Sequence, residues 1–217
     1  MPLLDALQNT TEQFEWPYRH WYINGPFSQA MLDEVVATPI PDGHRVYDGS
    51  RAADMGGGGV DGKLRCYIER DNVAQFPALG GLIDELLAPE TYQLIGDLLG
   101  RDLSDAYLRV EVIADRKGFW LKPHKDIKEK LMSMLVYVNQ CGESEDLGTD
   151  IYDENLEKVK SVPYRNNIGY MFAPGHNTWH GFQKKEIKQE RRSVLINYVT
   201  FQTDWKLPAP RTLRRAA

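Results

Sequence analysis

From Ala106 onward, apolar and polar residues alternate with a period of two, and short alternating runs separated by turn residues continue to about Phe201. This pattern predicts strands near 106–114, 118–123, 131–138, 149–153, 157–162, 168–173, 178–183 and 191–202. Before Ala106 the period is that of helices. Ser28 is a candidate cap for a helix carrying Met31, Leu32, Val35 and Val36, which Pro39 and Pro41 stop. Leu79, Leu82, Ile83, Leu86 and Leu87 follow helical spacing, and after Pro89 a second run carries Tyr92, Leu94, Ile95, Leu98 and Leu99 and closes at Gly100. The expected class is α+β, mainly β: a jelly roll over 106–202 with helices from the N-terminal half packed on it.

The length of 217 residues fits one domain, here expected over 1–207, with 1–105 as a helical and loop-rich lead-in and 208–217 as a flexible tail. Hydrophobic residues at 42 % and charged residues at 26 % supply enough apolar side chains for a sizeable core, so disorder is excluded as the main state. A net charge of −5 argues against a protein whose main work is to neutralise nucleic-acid phosphates. With only Cys66 and Cys141, neither a disulfide scaffold nor a four-thiolate zinc site can form. The chain has no basic-then-apolar leader at Met1–Pro17 and no apolar run of membrane-spanning length, so the expectation is a soluble cytoplasmic protein with no nucleic-acid or membrane partner. The run Gly56–Gly59 lacks the Lys-Ser/Thr ending of a phosphate loop and reads as a mobile loop, and the loops between residues 40 and 76 are long and glycine-rich enough to cover a barrel mouth.

Five histidines limit the possible metal sites: His20, His44, His124, His176 and His180. His124 and Asp126 stand two apart, and in an extended segment such residues share a face, so both can reach one ion. His180, in an apparent strand after the Pro174–Gly175 turn, can supply a third ligand. Two histidines and one carboxylate leave positions open on a six-coordinate metal, as in non-haem Fe(II) oxygenases. His176 falls in a turn, where Pro174, Gly175 and Asn177 oppose the helix that would pair it with His180. In the strand that follows, Arg191, Ser193 and Asn197 share one face, with Arg192, Val194 and Ile196 on the other. An arginine and a neighbouring hydroxyl on a barrel's inner face suit a dicarboxylate. A register slip of one would make Arg192 the anchor instead of Arg191.

With these motifs, 108–198 resembles the iron(II)- and 2-oxoglutarate-dependent dioxygenases, in particular their prolyl-hydroxylase-like branch. The resemblance rests on His124-x-Asp126, the strand Met134–Asn139, the distal His180 and Arg191-x-Ser193. It implies a double-stranded β-helix, with Fe(II) held by His124, Asp126 and His180 and with 2-oxoglutarate as cosubstrate. Arg191 would pair with the distal carboxylate of 2-oxoglutarate, and Ser193 and Tyr137 would hydrogen-bond to it. No catalytic side chain is implied beyond the metal centre. The implied activity is oxidation, chiefly hydroxylation, of an organic substrate, with 2-oxoglutarate and O2 becoming succinate and CO2. Leu147–Gly148–Thr149 departs from the glycine pair and polar residue that this branch often has there. Two rivals use the same β-rich half: a non-redox jelly-roll module binding a sugar or peptide, and a cupin-type isomerase or hydrolase holding zinc or manganese on these histidines. Neither needs Arg191-x-Ser193.

The substrate expected from local charge is an anionic or strongly polar small molecule. Lys122, Lys125 and Lys128 flank two of the ligands, Trp120 can wall the site, and Arg109 alternates with apolar neighbours on a strand whose charged face can point inward.

Overall fold

The computed structural model of the protein describes residues 1–40 and 64–208. The N-terminal half contains α1 (Pro2–Asn9), β1 (Thr11–Phe14), β2 (His20–Asn24), α2 (Gln29–Ala37), β3 (Leu64–Tyr67), α3 (Pro77–Leu87) and α4 (Pro89–Leu99). The C-terminal half is β4 (Tyr107–Asp115), β5 (Leu121–His124), β6 (Lys130–Val138), β7 (Asp150–Tyr152), β8 (Lys158–Ser161), β9 (Ile168–Phe172), β10 (His180–Phe182), β11 (Arg191–Val199) and β12 (Trp205–Lys206). These strands form two antiparallel sheets. The larger runs β1-β2-β9-β6-β11-β4, with β3 and β12 following one another along the outer edge of β4, and the smaller runs β5-β10-β7-β8. This is a jelly roll with helices on one face.

Alternation decides what each face of the larger sheet meets. Met132, Met134, Val136 and Val138 of β6, Val194, Ile196 and Tyr198 of β11, and Leu108, Val110 and Val112 of β4 all pack with α3 and α4 residues such as Leu82, Leu86 and Ile95 in one core. The opposite face turns toward the smaller sheet, where Tyr137, Tyr170 and Phe172 meet Leu121, Ile151 and Phe182 in a second core. In register, Ser193 sits opposite Tyr137, and Asn197 opposite Ser133, so the polar residues of neighbouring strands share the inner face. The Ser28 hydroxyl accepts from the Met31 amide at the start of α2, and Gly100 ends α4 in the left-handed conformation at φ +63°. Among the described residues no helix is long and apolar enough to cross a membrane.

The lead-in is not only helical. β1, β2 and β3 extend the larger sheet, a correction to the helical reading of the first hundred residues. At four or five residues each they are too short to show a period, and β2 presents His20, Trp21 and Ile23 as buried residues on both faces, which hides alternation. The Gly56–Gly59 run and the tail beyond Pro208 lie outside the described residues.

His20, wholly buried in β2, donates from Nδ1 to the Tyr18 carbonyl at 2.7 Å. Burial brings its pKa down to about 4 from 6.5, reinforced by the charge of Lys160 and opposed by the bond to Tyr18. The unfolded chain therefore takes up a proton at a pH where the folded one still excludes it. Its contribution to stability is complete above pH 6.5 and is lost as the pH falls toward 4. Denaturant unfolding measured across that window is expected to show a shallower acid loss in His20→Gln than in the parent, and equal slopes would refute it.

Candidate metal centre and the cavity around it

β5 and β10 pair so that His124 stands directly opposite His180, with ring centroids 4.4 Å apart. Each ring donates from Nδ1 to the carbonyl two residues before it, His124 to Lys122 at 3.0 Å and His180 to Thr178 at 2.9 Å. That fixes the tautomer in which Nε2 carries the lone pair, the form a metal ligand needs. Asp126 lies just past the end of β5, and ligand atoms of His124, Asp126 and His180 all fall within 4.8 Å of one another. Two imidazole nitrogens and one carboxylate oxygen gathered this closely can hold a divalent ion. The donor chemistry fits iron.

The carboxylate is held from behind. Lys130 Nζ donates to Asp126 Oδ1 at 2.7 Å and Ser133 Oγ to Oδ2 at 2.5 Å. Burial alone would raise the Asp126 pKa, but the charges of Lys130 and His180 and the two hydrogen bonds outweigh it and hold the carboxyl well below the usual range. Asp126 is thus an anion throughout the neutral range. Ser133 is on the inner face of β6, one alternation step from Leu135 and two from Tyr137, and Lys130 is four residues beyond Asp126.

Arg191 opens β11 opposite Asp115, the last residue of β4. Its Nε donates to the Leu147 carbonyl and its Nη1 to the Asp115 carboxylate, while the rings of Phe182, Tyr137 and Tyr164 surround the guanidinium at 4.8, 5.3 and 5.7 Å. Nη2 makes no hydrogen bond among the described residues, and Arg191 lines the cavity that holds both histidines and Asp126. Tyr137 is fully buried behind that wall. It donates to the Thr149 hydroxyl at 2.7 Å and accepts from the Thr149 amide at 2.9 Å. The Ser193 hydroxyl, also fully buried, has no partner among the described residues, and neither Ser193 nor Tyr137 lines the cavity, so the expected contacts of these two with the cosubstrate are not presented at its wall. The uncommitted guanidinium nitrogen at the cavity wall fits a carboxylate ligand.

Arg192 points the other way. Its Nη1 donates to the carbonyls of Val35 and Thr38, both at 2.7 Å, and so closes the C-terminal end of α2. The loop 147–149, whose departure from the branch pattern stood out in sequence, supplies both the carbonyl that orients Arg191 and the hydroxyl that locks Tyr137. A side chain at Gly148 would put its Cβ 1.5 Å from the Val162 carbonyl oxygen. Gly148→Ala is therefore expected to cost at least the ~1–3 kcal/mol usual for overpacking, read as a fall in the unfolding midpoint.

Of the residues expected to meet substrate, Arg109 lines the cavity, whereas Lys122 and Trp120 do not. Alternation along β5 turns Leu121 inward and leaves Lys122 exposed. Lys125 and Lys128 are exposed as well, and the Lys125 ammonium lies over the Trp179 ring at 4.6 Å. These lysines belong to the outer surface, so the expected lysine patch does not line the site. His176 is exposed in its turn. Sequence reasoning gave Arg65, Asp115, Lys130, Ser133 and Thr149 no part in holding the site. Alternation along the predicted strands would have placed Asp115 and Ser133 on the inner face, whereas Arg65 carried no signal because β3 itself carried none.

No family model matches the sequence, and no curated protein resembles it closely enough to count as a match. Solved structures do match in shape. A prolyl-4-hydroxylase of Pseudomonas putida aligns over 92 % of this chain and 98 % of its own, with a TM-score of 0.52 and 13 % identity. A 2OG-Fe(II) oxygenase family oxidoreductase of Burkholderia pseudomallei covers 96 % of this chain and 91 % of its own, with a TM-score of 0.55 and 12 % identity. A full-length Neurospora crassa protein, solved in complex with alpha-KG, covers 82 % of this chain and 73 % of its own, with a TM-score of 0.52 and 12 % identity. The chain has the prolyl-hydroxylase-like 2OG-Fe(II) oxygenase fold. One of these neighbours is named a 2OG-Fe(II) oxygenase and another was solved with alpha-KG, and this chain places a His-Asp-His cluster able to hold a metal in its inner cavity.

Proposed function

We propose that the protein is an Fe(II)- and 2-oxoglutarate-dependent dioxygenase that hydroxylates a small organic substrate, with 2-oxoglutarate and O2 converted to succinate and CO2, and that residues 1–207 form its single domain. The observation that carries this reading is that one cavity is lined by a two-histidine, one-carboxylate cluster and by a buried arginine with an uncommitted nitrogen. Iron(II) at such a cluster supplies open coordination positions and the redox chemistry that activates dioxygen.

The chain's own residues then have separable tasks. His124 and His180 present Nε2, each oriented by the bond of Nδ1 to a backbone carbonyl. Asp126 adds the negative charge, kept ionised and aimed by Lys130 and Ser133. Arg191, at the cavity wall, receives the distal carboxylate of 2-oxoglutarate through Nη2. Tyr137, tied to Thr149, shapes the same end and stacks against the guanidinium. Phe119, Phe172 and Phe182 wall the cavity and exclude water from the reacting atoms.

Anaerobic addition of Fe(II) and then 2-oxoglutarate is expected to produce the weak visible charge-transfer band of a bidentate 2-oxo acid on Fe(II), and admission of O2 to yield succinate. A protein that binds zinc or manganese with no band and no succinate would support the cupin-type rival instead, and one that binds no metal would support the binding module.

A further inference from the structure

Beside the metal cluster, the inner face of β4 carries charged groups that the proposed reaction does not use. Glu111, fully buried, is shared by two arginines: Arg65 Nη1 donates to Oε2 at 2.9 Å, and Arg109 Nε lies 2.8 Å from Oε1. The second contact is an ion pair off the hydrogen-bond direction, so the buried Arg109 Nε and Glu111 Oε1 have no hydrogen bond among the described residues. Arg109 Nη2 donates to Asn197 Oδ1 at 3.1 Å, Asn197 Nδ2 donates to Ser133 Oγ at 3.0 Å, and Ser133 donates to Asp126. The guanidinium is thereby fixed two side chains from a proposed metal ligand, and the ring of Phe201 lies beneath it at 5.6 Å.

A purely structural arginine whose Nε is buried, as it is here, spends that donor on a protein acceptor. Arg109 does not. Its Nη1 makes no hydrogen bond among the described residues and its Nε only the off-axis contact, yet it lines the cavity with His124, Asp126 and His180 and also walls the adjoining outer groove with Tyr67 and Trp205. We infer that Arg109 binds a carboxylate of the substrate, so that the molecule oxidised is an organic acid. The inference rests on the proposed reaction for the word substrate, while the acid site itself follows from the arginine's unmet donors. Glu111 competes for the same guanidinium, which orients it and tempers its affinity. Removing that carboxylate should therefore strengthen binding of an acid, a direction that a structural role for the network does not predict.

The test uses Zn(II)-loaded protein saturated with 2-oxoglutarate, so that the cosubstrate pocket is filled and no turnover occurs. Short aliphatic and aromatic carboxylic acids, each paired with its own primary amide, are titrated and read by the shift of the thermal midpoint; the same pairs are then scored for stimulated succinate formation with Fe(II). Binding acids should exceed their amides by roughly tenfold or more, the size of one charge-assisted contact. Arg109→Gln should erase that difference, Arg109→Lys should restore part of it, and Glu111→Gln should raise acid affinity by roughly tenfold. Amides equal to acids, no acid shifting the midpoint, or an unchanged preference in Arg109→Gln would overturn the inference. Should Arg109→Gln fail to fold, Glu111→Gln decides alone, and unchanged or weaker acid binding there refutes it. Acid preference without a charge-transfer band would refute the oxygenase reading only, and the band without acid preference would refute only the acid site.

Discussion

In the Asp126→Asn protein, Fe(II)-dependent succinate formation is expected to fall by more than the ~10–100-fold typical of losing an outer partner of a metal ligand, because a direct charged ligand of the proposed iron would be removed. The amide keeps the shape and can still meet Ser133, so the fold should survive where alanine would leave Lys130 half-buried without its partner. Equilibrium binding of Fe(II) to the variant should weaken in parallel, and His124→Ala and His180→Ala should behave alike. Full activity in Asp126→Asn at ordinary iron would take Asp126 out of the ligand set. The metal-free protein supplies a second readout. The Asp126 carboxyl titrates below its usual range in the folded state, so the stability it contributes is present above that range and lost as the pH falls through it. Unfolding midpoints at acid pH should show that loss in the parent and not in Asp126→Asn.

Arg191 and Arg192 are adjacent in sequence and opposite in consequence. Loss of Arg191 should weaken 2-oxoglutarate binding by ~2–5 kcal/mol, the range for one partner of a buried charge pair. Made alone, Arg191→Met leaves the Asp115 carboxylate buried without its guanidinium, so the clean variant is Arg191→Met with Asp115→Asn. Arg192→Met should leave the cosubstrate requirement close to that of the parent. It should instead lower the unfolding midpoint, since the carbonyls of Val35 and Thr38 at the end of α2 lose their donor. The comparison is KM for 2-oxoglutarate set beside thermal midpoint for both variants. A larger rise in KM for Arg192→Met would reverse the two roles.

Much of the candidate site was legible because strands report their faces. Alternation along 106–114 and 191–202 separated Arg109 and Glu111 from Leu108, Val110 and Val112, and Arg191 from Arg192, before any contact was known. The sheet register then brought the two polar faces together. The same logic applied to charge alone was misleading at Lys122, Lys125 and Lys128. Proximity in sequence to His124 does not say which side of β5 a lysine leaves from, and the pleat turns Lys122 away from the cavity.

The order of residues settles local facts: the change of period at Ala106, the cap at Ser28, the His124-x-Asp126 spacing and the shared face of Arg191, Ser193 and Asn197. Each depends on the geometry of a few consecutive residues, so it can be read without knowing the partners. It took the folded chain to put His124 opposite His180 across two short strands, to hold Arg191 between Asp115 and Leu147, to set Glu111 between Arg65 and Arg109, and to join β1, β2 and β3 to the larger sheet. Those pairings join residues far apart in the chain, and the register between strands, on which they depend, is set by the packing of two cores and not by any segment's own pattern.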